Sequence, residues 1–193
     1  MALVDANYNF IAVNVGAFGK DSDGGVLSKS KMGRAILNNK FNIPITKNLP
    51  GTNVSAPCVI LGDEAFPLKN HLLRPYPSHQ SITDLKKRHY NYRHCRARRV
   101  VENAFGTLSQ KFRIYNRRIH LKPEYAETIV LTTCILYNFI RRGQTVTFTE
   151  APVDFNNLRR QGGNAVSSAF EVRNQFADFF QTPQGQVDWV CND

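Results

Sequence analysis

One stretch constrains this chain more than any other. Arg88 to Arg118, RHYNYRHCRARRVVENAFGTLSQKFRIYNRR, reads as a single amphipathic helix carrying one acid, Glu102. With Val101 as reference, Ala97, Phe105, Leu108 and Phe112 recur at helical spacings and form an apolar stripe. Arg93, Arg96, Arg99, Lys111, Arg113, Arg117 and Arg118 crowd the remaining surface. Glu102 then has two readings. In one it makes ordinary helical ion pairs with Arg98 or Arg99. In the other it is aimed at a metal ion while the arginines hold a polyanion.

The same bias runs through the whole chain. Its 25 Lys and Arg outnumber 15 Asp and Glu, a net charge of +10. An excess of that size points to nucleic acid or another polyanion as partner. The 193 residues suffice for one domain with a sizeable core and a tail. No apolar run approaches the length that spans a bilayer, so no membrane partner is expected. The start, MALVDANYNF, lacks the regions of a signal peptide. Cys58, Cys95, Cys134 and Cys191 are dispersed without a CxxC pair, which suits reduced thiols in a cytosolic or nuclear protein.

Ala2 to Val4 and Phe10 to Val15 read as the strands of a hairpin, with Asn7 and Tyr8 in the turn and Asp5 at the end of the first strand. The glycine-rich GAFGKDSDGG lacks the GxxxxGK[ST] pattern of a phosphate loop and reads as a turn into a helix, Val26 to Asn38, capped by Ser22 or Asp23. Residues 42–56 form an exposed connection. Cys58 to Leu61, CVIL, suits a strand buried on both faces in the middle of a sheet. Asp63 follows it, either as a helix cap for residues 64–70 or at the sheet edge where open α/β sheets place their sites. Residues 73–87 read as a polar, mobile loop. Pro123 opens a helix to Arg142 whose apolar face includes Ala126, Ile129, Val130, Thr133, Cys134 and Tyr137. Residues 146–164 read as a linker, and Ala165 to Phe180 as an amphipathic helix that packs through its phenylalanines. His89, His94 and His120 show no metal-ligand spacing and read as surface residues.

Asp5, Asp63 and Glu102 stand out by position: two strand ends and one long helix. Carboxylates of this kind suit magnesium or manganese, and pairs of such ions assist phosphodiester cleavage. The local sequences add a resemblance. LVDANYNFIAVNVGAFGKDSDGGVLSKS, VILGDEAFPLKNHLLRPYP, NYRHCRARRVVENAFGTLSQKFRIYNRRI and IVLTTCILYNFIRR follow in that order and resemble DDE superfamily transposases of the PIF/Harbinger type, including their domesticated nuclease derivatives.

The resemblance implies an α/β, RNase H-like fold, a mixed five-stranded sheet flanked by helices. It implies that Asp5, Asp63 and Glu102 form the metal-binding catalytic triad for Mg²⁺ or Mn²⁺. Asp23 matches a further acid of the family, with a structural role expected. Arg74, Arg93, Arg96, Arg98 and Arg99 are candidate DNA-phosphate contacts. Asn138 falls where the family often has a histidine–asparagine pair, with Tyr137 in place of the histidine, and packing is its expected role. The family context implies DNA as substrate, a Myb-like partner protein and a nuclear location, with cytoplasmic residence also compatible. The expected organisation is a nuclease domain over 1–145, a linker over 146–164, and a C-terminal helix and tail over 165–193. No upstream DNA-binding part precedes the short strand before Asp5, so an N-terminal truncation is expected. The alternative is a remnant that binds DNA or protein without cutting.

Overall fold

The computed structural model describes residues 1–142 and 165–187, so the linker expected over 146–164 lies outside the described residues. The chain divides into two compact units. Among the described residues, one holds Met1–Arg34 and residues 97–142; the other holds Ala35–Arg96 and the C-terminal helix.

In the first unit, β1 (Ala2–Val4) and β2 (Phe10–Val13) form the expected antiparallel hairpin. Tyr8 takes φ 64° in its turn. The glycine-rich loop leads into α1 (Asp23–Lys29), capped by the Ser22 hydroxyl, which accepts the Gly25 N–H at 3.2 Å. The single helix expected over Val26–Asn38 is instead two, because the backbone turns extended at Ser30 before α2 (Lys31–Leu37). Ser30 Oγ donates to the Leu27 carbonyl at 3.2 Å and accepts the Gly33 N–H at 2.9 Å, so one side chain closes the first helix and opens the second. A Cβ at Gly33 would overlap the Leu27 backbone, so glycine is required at this bend.

The cationic helix α4 (Leu85–Lys111) is unbroken, and the division between units falls within it, at Arg96/Ala97. It stops short of the expected Arg118. Phe112 leaves helical geometry at φ −111°, ψ 89°, and a 3-10 turn covers Arg113–Asn116. Its buried line in this unit also differs from the expected stripe. Ala104 and Leu108 are buried, whereas Ala97 is exposed and Phe105 is 40% exposed. Phe10 determines that orientation: it packs with Ala104, Leu108, Cys134 and Tyr137 and meets the Phe105 and Tyr137 rings edge-on. Cys134 and Tyr137 belong to α5 (Pro123–Arg141), which begins with proline at its first position, as expected.

In the second unit, β3 (Thr46–Asn48) and β4 (Ser55–Pro57) pair antiparallel inside the segment expected to be an irregular connection. The ladder stops at Pro57, which has no N–H to give. The CVIL segment is half-buried, not buried on both faces. Only β5 (Ile60–Leu61) pairs, parallel to β6 (Leu72–Leu73). A short helix α3 (Ser78–Ser81) precedes α4, and α6 (Ser167–Phe179) completes the unit. Ala169 of α6 packs with Leu68 and Leu73, Ala177 with Tyr76 and Tyr90, and Phe179 with Leu49 and Ala56. The supposedly mobile RPYP segment is therefore core: residues 72–76 are all buried.

The architecture is mixed α/β. Among the described residues the strands pair as three two-stranded sheets, where one five-stranded sheet was expected. Strands of two to four residues offer few ladder hydrogen bonds, and helix packing carries most of the core. No described helix is long and apolar enough to cross a membrane. Cys58, Cys95 and Cys134 are free thiols.

Candidate active site

Asp5 closes its own turn. Its Oδ1 accepts the N–H groups of Asn7 at 2.8 Å and Asn9 at 2.9 Å. The Asn9 amide donates to Oδ2 at 3.0 Å, and the Asp5 and Tyr8 N–H groups complete the turn to Asn9 O and Asp5 O. The end of α5 holds this turn. Arg141 Nε donates to the Asn7 carbonyl at 3.2 Å, with its guanidinium 5.2 Å from the Tyr8 ring centre. Asn138 does more than pack: its Oδ1 accepts the Phe10 N–H at 2.9 Å while its Nδ2 donates to the Phe10 carbonyl at 2.8 Å. The asparagine thus stands in for a neighbouring strand on β2. Each such bond contributes about 0.5–1.5 kcal/mol net.

Asp63 follows β5 directly. Its Oδ1 accepts the Ala65 N–H at 2.9 Å, which turns the chain without the helix expected over 64–70. The residue before it, Gly62, is pinned at both backbone groups. Its N–H donates to Leu73 O at 2.8 Å, and its carbonyl lies 2.7 Å from His94 Nε2. A Cβ on Gly62 would stand 2.6 Å from the Phe66 ring, so any larger residue would displace that side chain. His94 is buried at 3% exposure, not a surface residue. On its other side, Nδ1 lies 3.4 Å from the Tyr90 hydroxyl, so the ring is tied to both the Asp63 loop and its own helix. Spacing could not reveal this role. The one available signal was that His94 lies four residues from Tyr90 and so shares its helical face.

Glu102 is exposed on α4, where Arg98 Nη2 donates to its Oε1 at 2.5 Å, a helical ion pair four residues apart. The other candidate arginines divide. Arg74 is buried, and its Nη1 donates to the Phe66 carbonyl at 3.1 Å. Burial, then the nearby Arg173 charge, lowers its pKa. Arg93 lies over the Phe180 ring at 3.8 Å and donates to the Gly185 carbonyl. Arg96, Arg98 and Arg99 are half-exposed. Asp23 sits in the first turn of α1, where a negative charge suits the helix start.

Asp5 and Glu102 fall in the first unit and Asp63 in the second. Among the described residues no group of three or more His, Cys, Asp or Glu side chains is drawn together for a metal ion. The donor type nevertheless fits a hard divalent cation. Asp63 Oδ2 and Glu102 Oε2 take no hydrogen bond among the described residues, and Asp5 Oδ2 takes one from Asn9.

Residues 1–138 match the family model described as DDE superfamily endonuclease, and the chain belongs to that family. It is also similar to a protein ALP1-like from Arabidopsis thaliana, 25% identical over 186 residues. That alignment covers 92% of this chain and 44% of the relative, so the chain spans under half the length of the relative it matches. No solved structure gives a significant match.

Proposed function

We propose that this chain is a divalent-metal-dependent endonuclease that hydrolyses DNA phosphodiester bonds, of the PIF/Harbinger branch of the DDE transposases or a domesticated derivative. The family match over residues 1–138, which includes all three candidate acids, carries this reading. The proposed fold is RNase H-like, with the nuclease domain over 1–145. Asp5, Asp63 and Glu102 would hold Mg²⁺ or Mn²⁺, which when bound stabilises charge on the scissile phosphate and lowers the pKa of water.

The rest is done by the chain. The Asn7, Asn9 and Ala65 N–H groups orient Asp5 and Asp63 by occupying one oxygen of each. Arg96, Arg98 and Arg99 on α4 are the proposed contacts to backbone phosphates, positioning DNA without reading its sequence. Release of Glu102 from Arg98 would supply both a carboxylate and a guanidinium. Arg74 and Arg93 act through the fold, by holding the Phe66 and Gly185 carbonyls. Nuclear location and a Myb-like partner are proposed on the same family ground.

A rival reading, a remnant that binds DNA or protein without cutting, draws on the Glu102–Arg98 pair, in which the acid is already neutralised. Plasmid nicking in Mn²⁺, with and without EDTA, separates the two. The nuclease reading expects nicking that EDTA abolishes, together with a higher melting temperature in Mn²⁺. A folded chain that neither nicks nor responds to Mn²⁺ sinks it.

A further inference from the structure

Helix α5 turns only one face inward. Thr133, Cys134 and Tyr137 are buried. The opposite face leaves Leu131 41%, Ile135 69% and Phe139 72% exposed, with Leu136 beside them at 44%. Apolar side chains in one continuous stripe mark an interaction surface more often than a solvated one. The stripe has charged ends. Successive helical residues advance by about 100°, so Glu124, Thr128, Leu131, Ile135, Phe139 and Arg142 share one side of the helix. From Thr128 to Ile140 there is no charge at all. Among the described residues neither Glu124 nor Arg142 forms an ion pair.

An acid at one end, a base at the other and an uncharged apolar middle make a surface complementary to itself when reversed. We infer that α5 is the interface with a second copy of this chain, the two helices running antiparallel about a two-fold axis. Glu124 then meets Arg142 of the second copy at both ends. Leu131 meets Ile135 at the centre, each two residues from the midpoint at Thr133. The steps of four, three, four and four residues from Glu124 to Phe139 are those of a helix–helix seam. A parallel arrangement would set glutamate against glutamate and arginine against arginine. This inference stands on α5 alone and does not depend on cleavage of DNA.

The test is independent of activity: analytical ultracentrifugation of the full chain. The parent sediments as a concentration-dependent dimer. Ile135→Asp, at an exposed position, keeps its circular dichroism and melting temperature but weakens dimerisation at least about a hundredfold, since two isoleucines lose burial. Glu124→Arg and Arg142→Glu each place like charges at both ends and weaken it about tenfold. Mixing these two single variants restores the dimer, because the mixed pair has opposite charges at both ends. That recovery cannot arise from a change in either chain's own stability. A monomeric parent overturns the inference and gives the stripe to another part of the polypeptide or a different protein. A dimer indifferent to Ile135→Asp, or single variants that do not recover on mixing, overturns it too.

Discussion

Asp5 and Asp63 are both fixed by accepted backbone N–H groups, but what stands behind them differs. Every bond to the Asp5 carboxylate comes from within four residues, from Asn7 and Asn9. Asp63 receives one such bond, from Ala65, and its setting depends on distant groups. Gly62 is held by Leu73 and His94, and Phe66 by Arg74. The segment after Arg74 is held in turn by α6. Arg173 donates to Pro75 O at 3.1 Å and lies 3.8 Å from the Tyr76 ring centre, while Tyr76 O–H donates to Asn174 at 2.7 Å. One acid takes three bonded groups from its own hairpin, which the end of α5 braces; the other takes one local bond and sits in a loop held at Gly62 and Phe66 by distant groups. Substitutions far from Asp63 should therefore disturb it more than comparable ones disturb Asp5.

The largest expected effect separates chemistry from support. Asp63→Asn keeps an oxygen for the Ala65 N–H, so nicking should fall to background with the melting temperature unchanged and DNA binding equal or tighter. A large loss of stability would mean the carboxylate's charge holds the turn. Next comes Arg173→Leu, which removes a charged hydrogen bond and a buried cation–π contact. Denaturant unfolding should show a loss of about 3 kcal/mol. His94→Ala should cost about 2 kcal/mol and lower cleavage by loosening Gly62. His94→Gln, which restores an N–H donor, should recover part of both. In the first unit, Asn138→Ala leaves two Phe10 backbone groups without their partner and should cost about 2 kcal/mol. The smallest effect belongs to Asn9→Ala, about 0.5 kcal/mol, because the Asn7 and Asn9 N–H groups remain on Asp5. If Asn9→Ala proved more disruptive than His94→Ala, the contrast between the two acids would be reversed.

The same contrast explains what the sequence disclosed. The Asp5 hairpin and the proline start of α5 are local patterns, and both lie where the sequence places them. So does α6, expected over Ala165 to Phe180 and found over Ser167–Phe179. RPYP looked like a mobile loop because its neighbours in sequence are polar. Its partners, Arg173 and Asn174, come 98 residues later. His94 looked isolated because the carbonyl it holds is 32 residues away. The break at Ser30 was hidden because serine suits both a helix interior and a cap; the close approach of Gly33 to Leu27 decides between them. Arginine content marked α4 as cationic, but composition could not distinguish Arg98, which meets Glu102, from Arg93, which lies on Phe180.

The packing of α6 has a consequence for how the protein is made. Synthesis is vectorial, and the Asp63 loop leaves the ribosome long before residues 167–179. Until those residues emerge, Leu68, Leu73, Tyr76 and Tyr90 lack Ala169 and Ala177, the partners that complete their clusters. The nascent chain thus carries an open apolar surface through the translation of about a hundred further residues. Completion of these clusters, and with it the final setting of the Asp63 loop, therefore waits for α6.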